Sequence, residues 1–126
     1  MRIPTYTFDE VHNCLVEDKP PRKPKKRRKG PEARILSECL AYLHAKGVFC
    51  WRNNSGGTKV NGRFMRFGMA GSPDIIGIVA GQFFAVEVKA PGGKLSDSQR
   101  EWHARAERAG CRAYVVRSVE ELMEVV

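Results

Sequence analysis

Apolar positions divide the chain into alternating helical and extended segments. From Pro31, residues Ile35, Leu36, Cys39, Leu40 and Leu43 recur at helical spacing. This predicts a helix over 31–46 that opens on a proline and stops at Gly47. Residues 48–53 read as a short strand. Residues 54–71 are rich in glycine and basic side chains and read as loop, with 63–67 a candidate strand. Two β-rich runs follow, 74–80 and 82–90, split by Gly81 as in a hairpin. Residues 91–94 form a turn. Ser96 caps a second helix that runs to about residue 109 and closes at Gly110. Residues 112–117 are a strand, and Ser118 starts a short last helix with Glu121 placed for a capping box. The expected order is α-β-(β)-β-β-α-β-α, an α/β fold with a mixed central sheet flanked by helices. Residues 1–18 show no pattern that assigns them.

The chain has 126 residues, enough for one domain that buries a core without disulfides. Hydrophobic content of 42% and charged content of 29% are those of a globular protein in water. The longest apolar run, around residues 75–80, is strand-sized and too short to span a membrane. The N-terminus lacks the apolar segment of a signal peptide. Both point to the cytoplasm, or the host cytoplasm for a viral source. Cys14, Cys39, Cys50 and Cys111 are scattered, with no CxxC pair and no zinc-type spacing to histidine. They read as reduced, mostly buried thiols. His12, His44 and His103 are isolated and carry no serine or cysteine motif, which argues against triad chemistry.

The net charge of +8 is unevenly spread. Lys19, Arg22, Lys23, Lys25, Lys26, Arg27, Arg28 and Lys29 supply eight positive charges without an acid among them. Elsewhere 14 basic residues balance 14 acidic ones. Pro20, Pro21 and Pro24 interrupt the same run, which cannot bury apolar surface and is expected to stay unfolded. Residues 1–30 are therefore read as a flexible basic extension and 31–126 as the folded domain. The extension suits phosphate binding, localisation or solubility equally well.

The candidate chemistry lies in Ser72-Pro73-Asp74-Ile75-Ile76 and Val86-Glu87-Val88-Lys89. Side chains alternate along a strand, so Phe84, Val86 and Val88 share a core face while Glu87 and Lys89 share the other. If the two runs pair, Asp74 faces Glu87 across the ladder. Two carboxylates that close repel each other, and a divalent cation between them relieves the repulsion. Oxygen donors suit Mg²⁺ or Mn²⁺, which can polarise a phosphoryl oxygen and acidify water. Lys89 would orient or deprotonate that water, or stabilise charge on the phosphate. In-line attack would leave 5′-phosphate and 3′-hydroxyl ends. The competing reading is a solvent-facing strand with one Glu–Lys ion pair. From these residues alone both readings stand.

Several further motifs occur in a fixed order: Glu32 on the first helix, Trp51-Arg52-Asn53-Asn54, and Arg66-Phe67-Gly68-Met69-Ala70-Gly71-Ser72-Pro73-Asp74-Ile75. Glu87-Val88-Lys89, Pro91-Gly92-Gly93, Leu95-Ser96 and Gln99 complete the set. In these the chain, from Pro31 to the C-terminus, resembles the virus-type replication-repair nuclease (VRR-NUC) domain of the PD-(D/E)xK superfamily. No catalytic position departs from that pattern, and the basic extension lies outside it. The resemblance implies a restriction-endonuclease-like core and a metal-dependent deoxyribonuclease. It implies that Asp74, Glu87 and the main-chain carbonyl of Val88 bind the metal. It further implies that Glu32 acts on the metal through water and that Gln99 is the glutamine that follows ExK. Small standalone members resemble junction-resolving homodimers, which implies branched DNA as substrate. The alternatives are a DNA-binding module without catalysis and a nuclease with little structure preference.

Glu32 and Gln99 also have plain structural roles available. An acid in a first helical turn favours the helix dipole, and Ser96-x-x-Gln99 is a capping box. Lys59, Arg63, Arg66 and Lys94 fall in loops or at loop edges and are candidate phosphate contacts, or else solvated surface. Trp51 and Trp102 are expected in the core or an interface.

Overall fold

The computed structural model describes residues 6–9 and 14–17 as backbone and residues 30–126 in full. In chain order the elements are β1 (Tyr6–Asp9), β2 (Cys14–Glu17), α1 (Pro31–Ala45), β3 (Phe49–Arg52), β4 (Gly56–Val60) and β5 (Arg63–Phe67). They continue with β6 (Ile75–Val79), β7 (Gln82–Val88), α2 (Asp97–Arg108), β8 (Arg112–Val116) and α3 (Val119–Met123). β1 and β2 pair antiparallel in a segment that the sequence leaves unassigned. The basic run 19–29 lies outside the described residues.

Four strands form a mixed sheet in the order β3-β6-β7-β8. β6 and β7 are an antiparallel hairpin with Ile75 opposite Val86. Ala80 and Gly81, both at positive φ, make its two-residue turn. β3 adds antiparallel to β6, and β7 returns through α2 to the parallel strand β8. This is the mixed α/β architecture expected from the sequence.

α1 buries Ile35, Leu36, Cys39 and Leu43 against Cys50, Ile75, Phe84, Val86 and Val88. Full burial of one such aliphatic side chain stabilises the fold by roughly 1.5–3 kcal/mol. Burial also pushes the Cys39 thiol up to about 11, so it stays protonated and inert. α3 closes this layer with Leu122. α2 covers the other sheet face, where its Gln99 reaches Glu87. β7 is therefore buried on both faces, from Phe84 through Val88.

Three local expectations change. Residues 54–71 are not loop with one strand but a hairpin, β4 with β5. Its turn, Asn61-Gly62, has φ values of 49° and 75°. That is the Asn-Gly hairpin signal, masked in the sequence by the weak strand former Gly56-Gly57. Glu121 does not close a capping box: its backbone N–H donates to Ser118 Oγ, but its carboxylate accepts from Arg117 N–H instead. Trp51 is 43% exposed and pairs with Phe49, which removes the core from the two places expected for it, core or interface. Among the described residues no helix is long and apolar enough to cross a membrane.

Candidate active site

Asp74 sits immediately before β6, and Glu87 lies near the end of β7. Extending the register one step beyond Ile75–Val86 brings the two opposite each other. Asp74 is fixed by its Oδ2, which accepts the Val88 N–H at 2.8 Å. Its approach is fixed by Asn53. The Asn53 N–H donates to the Asp74 carbonyl at 2.7 Å, and its Nδ2 donates to Ser72 Oγ and Pro73 O at 2.9 Å each. Gly71, at φ 77°, then passes α2 so closely that a Cβ would lie 2.1 Å from the Ser98 carbonyl oxygen. Only glycine fits both that turn and that contact.

Glu87 is only 3% exposed. The competing reading of a solvent-facing Glu–Lys strand does not hold, because α2 covers Glu87. Glu87 Oε1 accepts from Gln99 Nε2 at 2.9 Å and stands 3.4 Å from Lys89 Nζ. Glu87 Oε2 is buried and has no hydrogen-bond partner. Such an atom costs free energy unless something fills the position. Burial, followed by the Asp74 charge, pushes the Glu87 carboxyl from 4.5 up to about 7, against the lowering pull of Lys89. Burial raises Asp74 as well, against the Val88 N–H and Lys89.

Two helix N-termini converge here. Glu32, in the first turn of α1, accepts the Ala90 N–H at 3.3 Å and adds a third carboxylate that disfavours charge on the other two. Gln99 stands at the start of α2, where both halves of the Ser96–Gln99 capping box are made. Its amide thus serves cap and carboxylate together. The Val88 carbonyl also faces this centre. Lys89 N–H donates to Val116 O on β8, and a trans peptide turns the preceding carbonyl the opposite way, toward Asp74.

Among the described residues no three His, Cys, Asp or Glu side chains stand close enough to cage a metal by themselves. The donors present are two carboxylates, one with an open buried oxygen, and a main-chain carbonyl. Hard oxygen donors completed by water are what Mg²⁺ or Mn²⁺ takes, and the Glu87 Oε2 is a donor of that kind with no hydrogen-bond partner.

The candidate phosphate contacts separate into two groups. Lys94 is exposed on the loop beside Lys89. That loop is held by Arg117, which donates to Gly93 O at 2.9 Å. Lys59, Arg63 and Arg66 are exposed on β4 and β5, on strands rather than loops. Asn53 and Arg117 went unassigned in the sequence. Asn53 had a signal, since it sits in the Trp51-Arg52-Asn53-Asn54 motif; Arg117 had none.

The VRR-NUC domain model matches residues 31–120. The chain belongs to the VRR-NUC domain family. A solved chain described as a VRR_NUC domain superposes with a TM-score of 0.58 at 25% identity, over 77% of this chain and 98% of that one. Among curated proteins no sequence matches significantly. VRR-NUC membership makes this a nuclease-type domain, with Glu32, Asp74, Glu87, Lys89 and Gln99 gathered at one end of the β6–β7 hairpin.

Proposed function

We propose that this VRR-NUC chain is a divalent-cation-dependent endonuclease that hydrolyses the DNA backbone, with branched DNA such as the four-way junction as its preferred substrate. The observation that carries this reading is Glu87: a buried carboxylate with one oxygen held by Gln99 and Lys89 and the other open, opposite Asp74. Most buried carboxylate oxygens in a plain structural ion pair are hydrogen-bonded.

Asp74, Glu87 and the Val88 carbonyl would hold the ion, with Glu32 acting through water. A bound Mg²⁺ or Mn²⁺ supplies positive charge against the phosphodiester and increases the acidity of water. The chain's own groups do the rest. Asn53 and the Val88 N–H fix the Asp74 carboxylate. Gln99 fixes Glu87. Lys89, 14% exposed at its side chain, meets the attacking water and the charge that builds on the phosphate. Water attacks phosphorus in line, the P–O3′ bond breaks, and the products carry 5′-phosphate and 3′-hydroxyl ends. Lys59, Arg63, Arg66 and Lys94 contact flanking phosphates.

One such centre cuts one strand, while a four-way junction needs two cuts related by two-fold symmetry. A homodimer supplies that pair of centres. The second reading, a DNA-binding module without catalysis, draws on the 3.4 Å Glu87–Lys89 ion pair. The purified chain, given Mg²⁺, Mn²⁺ or chelator with labelled linear duplex, flap, fork and four-way junction DNA, separates them. Metal-dependent nicks concentrated in the junction support the proposal. Binding without any product, in every metal, leaves the binding module. Equal cutting of all shapes by a stable monomer leaves an unselective nuclease.

A further inference from the structure

We propose that the β4–β5 hairpin is a DNA-engaging arm whose Phe64 ring stacks on an unpaired base next to the cleavage site. The proposal rests on the DNA-nuclease reading above. Every residue of both strands is exposed, and among the described residues the two strands pair only with each other. Phe64 is 62% exposed and Phe67 is 50% exposed, so neither serves the core. The register sets Lys59 opposite Phe64 and Gly57 opposite Arg66. Lys59, Phe64 and Arg66 therefore share one face. The Phe64 ring leans over Gly57, where a Cβ would meet its Cζ at 2.2 Å. Phe64, Phe67, Arg66 and the Gly56-Gly57 backbone border a hollow of about 300 Å³, at the small end of ligand clefts. A planar group suits walls of this kind.

Charge selects the occupant. Residues 39–73 contain no Asp or Glu, but include Lys46, Arg52, Lys59, Arg63 and Arg66. Exposed rings set among cations and free of carboxylates are what single-stranded nucleic acid binds, with phosphates on the cations and bases on the rings. The root of the arm fixes its reach. Asn53, just after β3, is bonded to Ser72 and Pro73, so both feet of the hairpin are tied beside Asp74. A five-residue strand extends about 17 Å, or about five base steps at 3.4 Å. The arm therefore meets substrate within a few nucleotides of the bond to be cut, where a fork or flap offers unpaired bases.

The test uses the full chain carrying Lys89→Ala, so that DNA is bound and not consumed. Binding is measured by anisotropy on a plain duplex and on a fork of equal length, with 2-aminopurine at the unpaired positions. Adding Phe64→Ala should weaken fork binding by about tenfold or more, change duplex binding by less than about twofold, and abolish 2-aminopurine quenching. Phe64→Trp should restore both signals. Unchanged fork affinity, or equal loss on both substrates, overturns the proposal. So does a change in molecular mass with Phe64→Ala, which would make the hairpin a contact between copies. In each of those outcomes wild-type cutting would leave the nuclease reading intact. A wild-type chain that neither binds nor cuts any DNA overturns both.

Discussion

Gln99 Nε2 donates to Glu87 Oε1 at 2.9 Å while its own Oε1 accepts the Ser96 N–H at 2.8 Å. One amide thus joins the start of α2 to the buried carboxylate of β7, and the two functions separate by substitution. Gln99→Ala removes both side-chain contacts and should cost about 1 kcal/mol of stability for the hydrogen bond lost from the cap. Gln99→Glu keeps an acceptor for the Ser96 N–H but sets a carboxylate against Glu87. Repulsion between the two carboxylates should lower its melting temperature, and it should cleave about 10–100-fold more slowly, as expected for loss of a group that orients a ligand. Wild-type cleavage by Gln99→Glu would show that the Glu87 contact does nothing beyond packing.

Lys89 is outside the core cluster and, among the described residues, is anchored through its backbone to Val116 and its ammonium to Glu87. Lys89→Ala should keep the fold and metal binding. Single-turnover cleavage should fall by at least about a hundredfold, the low end for a lost proton-transfer group. A variant that cuts near the wild-type rate removes Lys89 from the reaction.

Much of this was legible in the sequence, and the reasons differ by residue. Period-2 alternation gave the core face of β7, because Phe84, Val86 and Val88 do pack beneath α1. It could not reveal that Glu87 is equally buried, since that depends on α2 folding back after the turn at residues 91–94. The spacing Ser96-x-x-Gln99 forecast the cap but not the distant carboxylate it also holds, 12 positions earlier. β4 leaves little trace in the sequence because Gly56-Gly57 lowers strand propensity; the register instead rests on the Asn61-Gly62 turn. Arg117 was invisible because its partner is a main-chain carbonyl 24 residues away, and backbone acceptors leave no trace in a sequence.

Asp74→Asn and Glu87→Gln each replace an anionic oxygen donor with a neutral amide. Both should abolish cutting and weaken Mg²⁺ binding, read by calorimetry. DNA binding should persist or tighten, because a negative charge facing the phosphate is gone. In metal-free buffer neither variant should lose stability through lost charge, since the two carboxylates repel each other there. Metal affinity equal to wild type in both variants would refute the site.

The eight basic residues between Lys19 and Lys29 account for the whole net charge of the chain. Deleting residues 1–29 should leave a folded domain that cuts DNA, because the helical pattern begins at Pro31. If the run touches phosphates, the log–log salt slope of binding should drop by about 0.9 per lost contact. An unchanged slope would assign the run to solubility or localisation.

The pH response follows from Glu87 and has opposite signs with and without metal. Its carboxyl titrates at about 7 in the fold against an ordinary 4.5. Below the ordinary value both folded and unfolded chains hold the proton, so the group does not make stability depend on pH. Between the two values the folded chain keeps a proton that the unfolded chain has released. Metal-free stability should therefore fall as pH rises through this window, by at most about 1.4 kcal/mol per unit from this group, and level off above it. His103 works the other way. Burial lowers its ring below the ordinary 6.5, so its contribution to stability diminishes as pH falls. Asp74, also raised by burial, adds a component of the same sign as Glu87, so the informative quantity is the difference between wild type and Glu87→Gln in metal-free thermal melts, which reports the Glu87 component. Added Mg²⁺ competes with the proton on Glu87. Its stabilising effect should grow as pH rises toward about 7 and then flatten. Glu87→Gln should show little of this metal response at any pH. A wild type whose metal-free stability rises relative to Glu87→Gln across the window would mean that Glu87 is not the buried, proton-holding carboxylate from which the active site was built.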